Sequence, residues 1–381
     1  MVKKTLIFLL LTSAAYGAAA NMYVTSDGAG TKDGSTWANA MGHDEFAVDA
    51  NENAEAGDIY WLMNDGNAYV VGDMNELNSV LDGTLTNPIQ IIGVKTGTAN
   101  EPPDSGNYAY GSDRPTITCG AHLFTTDDYW AYKNLIITTS AAAGVRIDVG
   151  GLIENCKITG VTDGKPAVYA GGSGFQIINC ELVGANGAEA AEVTNPYSKI
   201  INCYLHNDAN TGGTGILTTN DAAFVVTGCV LYKWGTGIDL TACPNPFIGN
   251  NTFKDCGTAI TATTAYAGVF VNNIFDGSGV EAVWDTEEFS NFWDYNIWDA
   301  SPTRTNVTAG SHGLDADPDM GTPPDFTVSS TSNALDAGMQ LSSNHGVTGD
   351  YKQNIGVDQD DNGASSGGRS AGANLNGVLQ E

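Results

Sequence analysis

Four polar residues at similar positions in three successive stretches of the chain are the first candidates for chemistry: Arg146, Asp148, Tyr169 and Glu192. The carboxyl groups of Asp148 and Glu192 could form an acid–base pair, in which one protonates a leaving oxygen and the other activates water. Arg146 or Tyr169 could instead act as a base, or stabilise charge, in β-elimination. The alternative is that all four are solvated side chains on an exposed face of a sheet.

A possible metal loop lies near the C-terminus. Asp358, Asp360 and Asn362 place oxygen ligands at the first, third and fifth positions, and Gly363 follows, as at the start of a calcium loop. An EF-hand needs Glu at the twelfth position, where this chain has Arg369. The three residues are therefore predicted to form a partial calcium site, with a polar tail that binds no metal as the alternative. No nucleotide-binding or hydrolase motif predicts an organic cofactor.

A repeat defines the scaffold that must position these residues. The step Asn155-Cys156 recurs along the chain, usually as Asn-Cys or Asn-Asn. Its second position forms a column of Leu135, Cys156, Cys180, Cys203, Cys229, Asn251, Asn273 and Asn296. A spacing of 21 to 26 residues predicts a stacked solenoid. Asn or Gly at the first position indicates a sharp corner, because both tolerate the left-handed backbone conformation.

The cysteines in this column have an unusual interpretation. Seven cysteines in a secreted chain normally suggest disulfides. Four of them share one column with Leu135 and the asparagines, so we interpret them as a buried stack of free thiols that pack as small hydrophobes. The asparagines would continue the stack through amide hydrogen bonds from coil to coil. Metal binding by the cysteines is not expected, because no CxxC pair exists.

A second inward column is predicted at Ile147, Val168, Val193, Ile216, Ile238, Ile260 and Ala282. This alignment puts Arg146 and Glu192 in the outward column before it, and Asp148 and Tyr169 in the outward column after it. Coils are stacked about 4.8 Å apart, so Asp148 and Glu192 would be two coils, or about 10 Å, apart. That is near or just beyond the carboxylate separation of inverting glycosidases.

The two ends of the chain carry a family resemblance. The opening, Tyr23-Val24 through Trp37 and then Gly57-Asp58-Ile59-Tyr60, and the closing segments at 315–318, 325–338 and 354–357 are similar to motifs of secreted bacterial β-helix repeat proteins. These resemble the pectate-lyase-like superfamily, which implies an all-β, right-handed parallel β-helix solenoid with an N-terminal cap. The resemblance also implies that catalysis, if present, lies on the strand face that carries Arg146. The superfamily includes lyases, hydrolases, adhesins and structural proteins, so it implies no single activity.

The N-terminus and the charge predict the compartment. Lys3 and Lys4, the apolar run from Thr5 to Ala15 and the small residues up to Ala20 predict a signal peptide. The apolar run is too short to span a membrane, so the protein is expected to be secreted, extracellular or at the cell surface. A formal net charge of −29 argues against nucleic acid and anionic membranes, and is compatible with a saline or calcium-containing exterior.

The sequence thus predicts four segments and a general function. The segments are a signal peptide (1–20), an N-terminal cap (21–60), a parallel β-helix (61–300) and a loop-rich closing segment (301–381). The predicted function is binding, and as a further step modification, of extracellular polysaccharide or cell-surface glycan, with a polysaccharide lyase or glycoside hydrolase as the enzyme class. The alternative is a non-catalytic adhesin or structural module, which the small and apolar outward residues Gly215, Leu217 and Gly237 favour.

Overall fold

Short β-strands at regular intervals make up most of the protein. The computed structural model describes residues 19–71, 81–119, 124–125, 127–139, 144–160, 164–185, 187–207, 212–219, 222–263, 267–284, 291–299, 302–320 and 332. The helices of this part are α1 (His43–Glu52) and three 3-10 turns at Trp37–Asn39, Ser105–Asn107 and Gly111–Asp113. The strands are β1 (Asn21–Val24), β2 (Ile59–Met63), β3 (Tyr69–Val71), β4 (Ile89–Val94), β5 (Thr116–Cys119), β6 (Phe124–Thr125), β7 (Trp130–Lys133), β8 (Ile136–Thr139), β9 (Val145–Ile147), β10 (Leu152–Glu154), β11 (Lys157–Gly160), β12 (Val168–Ala170), β13 (Gln176–Ile178), β14 (Glu181–Val183), β15 (Ala191–Val193), β16 (Lys199–Ile201), β17 (Tyr204–His206), β18 (Thr214–Thr219), β19 (Val225–Thr227), β20 (Val230–Tyr232), β21 (Thr236–Thr241), β22 (Phe247–Gly249), β23 (Thr252–Lys254), β24 (Thr258–Ala262), β25 (Val269–Val271), β26 (Ile274–Asp276), β27 (Val280–Trp284), β28 (Phe292–Asp294), β29 (Ile297–Trp298), β30 (Arg304–Thr305) and β31 (Leu314–Asp315).

These strands form three parallel sheets that run along the molecule. Sheet I has the order β1-β2-β4-β7-β10-β13-β16-β19-β22-β25-β28. Sheet II has the order β3-β5-β8-β11-β14-β17-β20-β23-β26-β29-β31, and sheet III has the order β30-β27-β24-β21-β18-β15-β12-β9-β6. Within each sheet a strand pairs with the equivalent strand of the next coil. The predicted all-β parallel solenoid is therefore confirmed.

One coil shows how the chain travels. It leaves sheet I at the end of β10, turns at Asn155 and enters sheet II as β11. It reaches sheet III as β12 and returns to sheet I as β13. The corner residues Asn155, Asn179 and Asn202 have φ angles of 59°, 54° and 53°. The left-handed corner is thus as the sequence predicted, since Asn adopts this conformation more easily than other non-glycine residues.

The interior column at this corner is buried along its whole length. Cys156, Cys180, Cys203 and Cys229 are fully buried free thiols. Cys203 Sγ donates to the Ile177 carbonyl at 3.6 Å. Burial raises the pKa of Cys156, Cys180 and Cys203 well above that of an ordinary thiol, so each is neutral. In this part of the solenoid, the free thiols form the buried inward column that the repeat predicted.

Asparagine amides replace the thiols in the later coils. Asn251 Nδ2 donates to Asn273 Oδ1 at 3.1 Å, and Asn273 Nδ2 donates to Asn296 Oδ1 at 3.0 Å. All three residues are fully buried. The amide ladder satisfies polar groups inside an otherwise apolar core.

Helix α1 packs at the beginning of the solenoid. It buries Phe46, Ala47 and Ala50, and the Phe46 ring lies edge-on to Tyr60, with ring centroids 5.2 Å apart. Tyr60 also donates to Asp49 at 2.9 Å. These contacts are those expected of a cap, while the four segment boundaries stay a prediction. Among the described residues, no helix is both long enough and apolar enough for a membrane span.

Candidate functional site

The outward row of sheet III carries three of the four predicted site residues. Tyr169 pairs directly with Arg146 on one side and with Glu192 on the other. The row continues through Leu217, Asp239, Thr261 and Val283. Arg146, Tyr169 and Glu192 are therefore stacked on three successive coils, at steps of about 4.8 Å.

The predicted alignment of this sheet was wrong by two residues in two places. Val168 pairs with Val145 rather than with Ile147, and Ile216 pairs with Ala191 rather than with Val193. A shift of two residues leaves inward residues inward, so the alternation of apolar and polar residues cannot detect it. The correction places Tyr169 beside Arg146 instead of in a separate column.

Arg146, Asp148 and Tyr169 converge on one point of this row. Arg146 Nε lies 3.5 Å from Asp148 Oδ2, and its guanidinium carbon lies 5.8 Å from the centre of the Tyr169 ring. Asp148 follows the last residue of β9, so it belongs to the turn rather than to the strand. Gly171 lies next to these groups and has no side chain that would cover them. A Cβ at this position would lie 2.9 Å from Asp148 Oδ1 and 3.1 Å from the Tyr169 ring.

Glu192 is suited to hold a proton. Burial, followed by the negative charge of Glu189, raises the pKa of Glu192 above that of an ordinary Glu, although Lys165 opposes the shift. Two coils further along the row, burial also raises the pKa of Asp239, while a hydrogen bond from Thr241 at 3.0 Å opposes the shift. A carboxyl group with a raised pKa can donate a proton nearer neutral pH than a free side chain.

A cluster of carboxylates that the sequence did not predict lies next to this row. Asp82, Asp127 and Asp128 have ligand atoms that all lie within 4.8 Å of one another. Asp127 and Asp128 lie between β6 and β7, in the turn one coil before the turn of Asp148. Asp128 Oδ1 accepts from the Val149 amide at 3.1 Å, and Asp82 Oδ1 accepts from the Asp128 amide at 3.3 Å. These bonds fix the cluster against the turn that carries Asp148.

The cluster has an excess of negative charge. Burial and then the charges of Asp82, Asp128 and Asp148 raise the pKa of Asp127. Several carboxylate oxygens in one place suit a hard cation such as Ca²⁺, which takes six to eight oxygen ligands. The residues present therefore fit calcium, with the remaining ligand positions left for water or for a bound carboxylate.

Three predicted features lie outside the described residues. They are the signal peptide, apart from residues 19 and 20, the closing motifs at 325–338 and 354–357, apart from residue 332, and the candidate calcium loop of Asp358, Asp360 and Asn362. The acidic cluster was missed because Asp82 and Asp127 are 45 positions apart in the chain. The one available signal was the Asp127-Asp128 pair immediately before Tyr129.

Comparisons with known proteins agree with this architecture. The family model for the right-handed β-helix region matches residues 123–293. A pectate lyase, Pel9A, matches with a TM-score of 0.57 and 15% identity, over 91% of this chain and 98% of that chain. A search of curated proteins finds no match. The chain is a right-handed parallel β-helix protein, as the resemblance in its terminal motifs implied.

Two further structures have lower similarity. A rhamnogalacturonan lyase matches with a TM-score of 0.38 and 13% identity, over 82% of this chain and 87% of that chain. A GH136 lacto-N-biosidase from Eubacterium ramulus matches with a TM-score of 0.37 and 12% identity, over 73% of this chain and 56% of that chain. The function of this chain therefore has to be argued from the site itself.

Proposed function

We propose that this protein binds an extracellular, uronate-containing polysaccharide on sheet III and its acidic turn, with calcium as the bridging ion. The observation that carries the proposal is the convergence of Asp82, Asp127 and Asp128 beside the Arg146–Asp148 pair. A chain with a net charge of −29 repels a polyanion, so such a ligand needs a cation between the two negative surfaces. Arg146 is already paired with Asp148 at 3.5 Å, so most of the positive charge would have to come from a cation held by the acidic cluster.

The roles of the residues follow from their positions. Asp82, Asp127 and Asp128 would hold Ca²⁺, which would neutralise a carboxylate of the sugar chain when bound. Arg146 would pair with a neighbouring carboxylate, and Tyr169 would pack beside its guanidinium. A sugar chain laid along the solenoid axis would follow this row, which runs from coil to coil.

Modification of the polysaccharide is the second part of the proposal. Glu192 lies one coil from Tyr169 and two from Arg146, where a protonated carboxyl could transfer its proton to a glycosidic oxygen. Arg146 and Tyr169 are the groups available to stabilise charge during cleavage. Both lyase and hydrolase chemistry use such a set, so the assay must detect unsaturated products as well as new reducing ends.

Binding is tested with a panel of uronate and neutral glycans, in calcium and in chelator. We expect uronate glycans to bind only with calcium, and Asp127→Asn to weaken binding more than tenfold, because it removes one ligand charge. The matched control is Asp113→Asn, which changes an exposed carboxylate in the 3-10 turn before β5. Calcium-independent binding that is unaffected in Asp127→Asn would contradict the proposal, and binding to no glycan would favour the adhesin or structural module.

Catalysis is tested on the same glycans with Arg146→Ala and Glu192→Gln. We expect product formation to fall at least a hundredfold in each, the usual contribution of a positioned acid–base or charge-stabilising group. Product formation at the wild-type rate in both variants would exclude Arg146 and Glu192 as the catalytic groups, whereas no product from the wild type would leave binding alone.

A further inference from the structure

The turns between sheet III and sheet I form a second ladder along the solenoid. The amide of Tyr129 donates to the Val149 carbonyl at 2.7 Å, and that of Gly150 donates to the Ser173 carbonyl at 2.9 Å. The amides of Gly174 and Tyr197 donate in the same way to Pro196 at 3.0 Å and to Ala222 at 2.9 Å. Each donor has a positive φ angle: 59° at Tyr129, 65° at Gly150, 74° at Gly174 and 68° at Tyr197. The four residues are therefore in register on four successive coils.

This ladder begins at the acidic cluster. Tyr129 directly follows Asp127 and Asp128 in the chain, so the cluster and the first step of the ladder share one turn. Tyr197 follows the strand β15, which carries Glu192. The ladder thus runs beside the row of Arg146, Tyr169 and Glu192, and three coil steps place the turn of Tyr197 about 14 Å from that of Tyr129.

The two glycines of the ladder, Gly150 and Gly174, lie between two tyrosines, Tyr129 and Tyr197. The Tyr129 ring lies against Gly150, since a Cβ on that glycine would be 2.5 Å from two of the ring carbons. At the next step, a Cβ on Gly174 would meet nothing within 4 Å. Beyond it, Tyr197 is 65% exposed, unlike most of the large aromatic residues that the structure describes. The space above Gly174, between Tyr129 and Tyr197, is therefore not filled by any described side chain.

The neighbouring contacts hold the Tyr197 turn in place. Thr194 Oγ1 donates to the Ala170 carbonyl at 3.3 Å, and Ser198 Oγ donates to the Asn195 carbonyl at 3.0 Å. The Asn195 amide group donates to the Gly171 carbonyl of the preceding coil. With the bond from the Tyr197 amide to the Ala222 carbonyl, the turn that presents the Tyr197 ring is bonded to the preceding coil and to the following one.

We propose that Tyr197 is a stacking platform for a sugar ring, and that it extends the acidic site along the solenoid axis. A hexose unit of a linear polysaccharide is about as long as one coil step, so a chain held at Asp127 would reach Tyr197 after about three further units. The C–H face of a pyranose packs on an aromatic ring, and the Tyr hydroxyl remains free for the sugar hydroxyls. This inference rests on the proposed function and adds a length preference: chains of about four or more units bind better than shorter ones.

The test compares binding of uronate oligosaccharides, from dimer to octamer, to the full chain in calcium. We expect wild-type affinity to rise with length until Tyr197 is reached. Tyr197→Ala should lose about tenfold for the octamer and little for the dimer, because one ring contact is removed at the far end. Tyr197→Phe, which keeps the ring, should retain the length dependence. Tyr110→Ala is the matched control, since Tyr110 is 56% exposed in the loop before β5.

The outcomes separate this inference from the proposed function. If Asp127→Asn weakens binding but Tyr197→Ala leaves the length dependence intact, the platform is wrong and the acidic site stands. An equal loss for dimer and octamer in Tyr197→Ala would also overturn the platform, because it would indicate a general change of the fold. If the wild type binds none of the oligosaccharides, the proposed function fails and the platform with it.

Discussion

Replacement of Asn273 tests the interior ladder more directly than any other change. Asn273 is fully buried, and its Oδ1 accepts from the backbone amide of Asn251 at 3.1 Å. Its Nδ2 donates to the Ile248 carbonyl at 2.9 Å. Asn273→Ala removes both bonds and also the side-chain bonds to Asn251 Nδ2 and Asn296 Oδ1, each of which keeps a second partner. The Asn251 amide and the Ile248 carbonyl each lose the Asn273 side chain as a partner. An orphaned buried polar group costs about 1–3 kcal/mol, so two predict a loss of about 2–6 kcal/mol in the free energy of unfolding.

Asn273→Cys provides the matched comparison, because the same column holds cysteine in earlier coils. There the Cys203 amide donates to Cys229 Sγ at 3.5 Å, and Cys203 Sγ donates to the Ile177 carbonyl at 3.6 Å. A thiol at position 273 can therefore make both bonds in weaker form. We expect Asn273→Cys to cost about 1–2 kcal/mol, clearly less than Asn273→Ala.

Chemical denaturation followed by circular dichroism measures the free energy of unfolding of both variants. Hydrogen exchange at the Asn251 amide adds a local measure, since that amide loses its acceptor only in Asn273→Ala. Equal destabilisation by Ala and Cys would refute the reasoning, because it would mean that the column is maintained by volume alone. A loss below about 0.5 kcal/mol for Asn273→Ala would refute it as well, because surface substitutions already reach that value.

Two further predictions concern pH. Calcium affinity should fall on acidification at a higher pH than for an ordinary Asp cluster, because the raised pKa of Asp127 favours its protonated form. Calcium titration at several pH values measures this. A calcium affinity that does not change between pH 7 and pH 4 would contradict the prediction. Burial alone would raise the pKa of Asp294, but hydrogen bonds from the His312 side chain and amide, at 2.9 and 2.7 Å, lower it below the ordinary value. A carboxyl with a lowered folded-state pKa stabilises the fold above its unfolded value of about 3.9, and this stability is lost as the pH falls through the folded value. Asp294→Asn should therefore destabilise the protein more at pH 7 than at pH 3 in denaturant titrations, and an equal loss at both would show that its ionisation contributes nothing.

The sequence predicts the fold well because each coil repeats the same local requirement. A left-handed residue at the corner and a buried residue after it recur at each coil from Asn134 to Tyr295, so the Asn155-Cys156 step was sufficient to predict the solenoid. The register of sheet III was harder to predict from the sequence, since the variable loops between sheets II and III decide whether Val145 or Ile147 pairs with Val168. The alternation of apolar and polar residues along the strand allows both pairings.

The acidic cluster could not be predicted from the sequence for a related reason. Asp82 and Asp127 belong to neighbouring coils, but the long loop from Thr96 to Arg114 separates them in the chain and hides the repeat. Only the stacking of the two turns shows that their carboxylates meet. The predicted calcium loop at Asp358 was a local pattern, whereas a site assembled from successive coils has no local pattern to detect.

The two left-handed ladders differ in what their side chains contribute, and this difference bears on where the proposed binding surface lies. At the Asn corner, side-chain amides add to the backbone bonds from coil to coil: Asn155 Nδ2 donates to Asn134 Oδ1 at 2.9 Å, and Asn272 Nδ2 donates to Asn250 Oδ1 at 3.1 Å. At the turns between sheets III and I, Gly150, Gly174 and Ala223 have no side chain that could make such a bond, so backbone bonds carry these steps, with added contacts from Asp128 and Asn195. The residues there accordingly vary among Tyr129, Gly150, Gly174, Tyr197, Ala223 and Asn245. An edge whose backbone supplies the order can change its side chains without loss of the fold, which is the condition that a binding surface on a repeat scaffold requires.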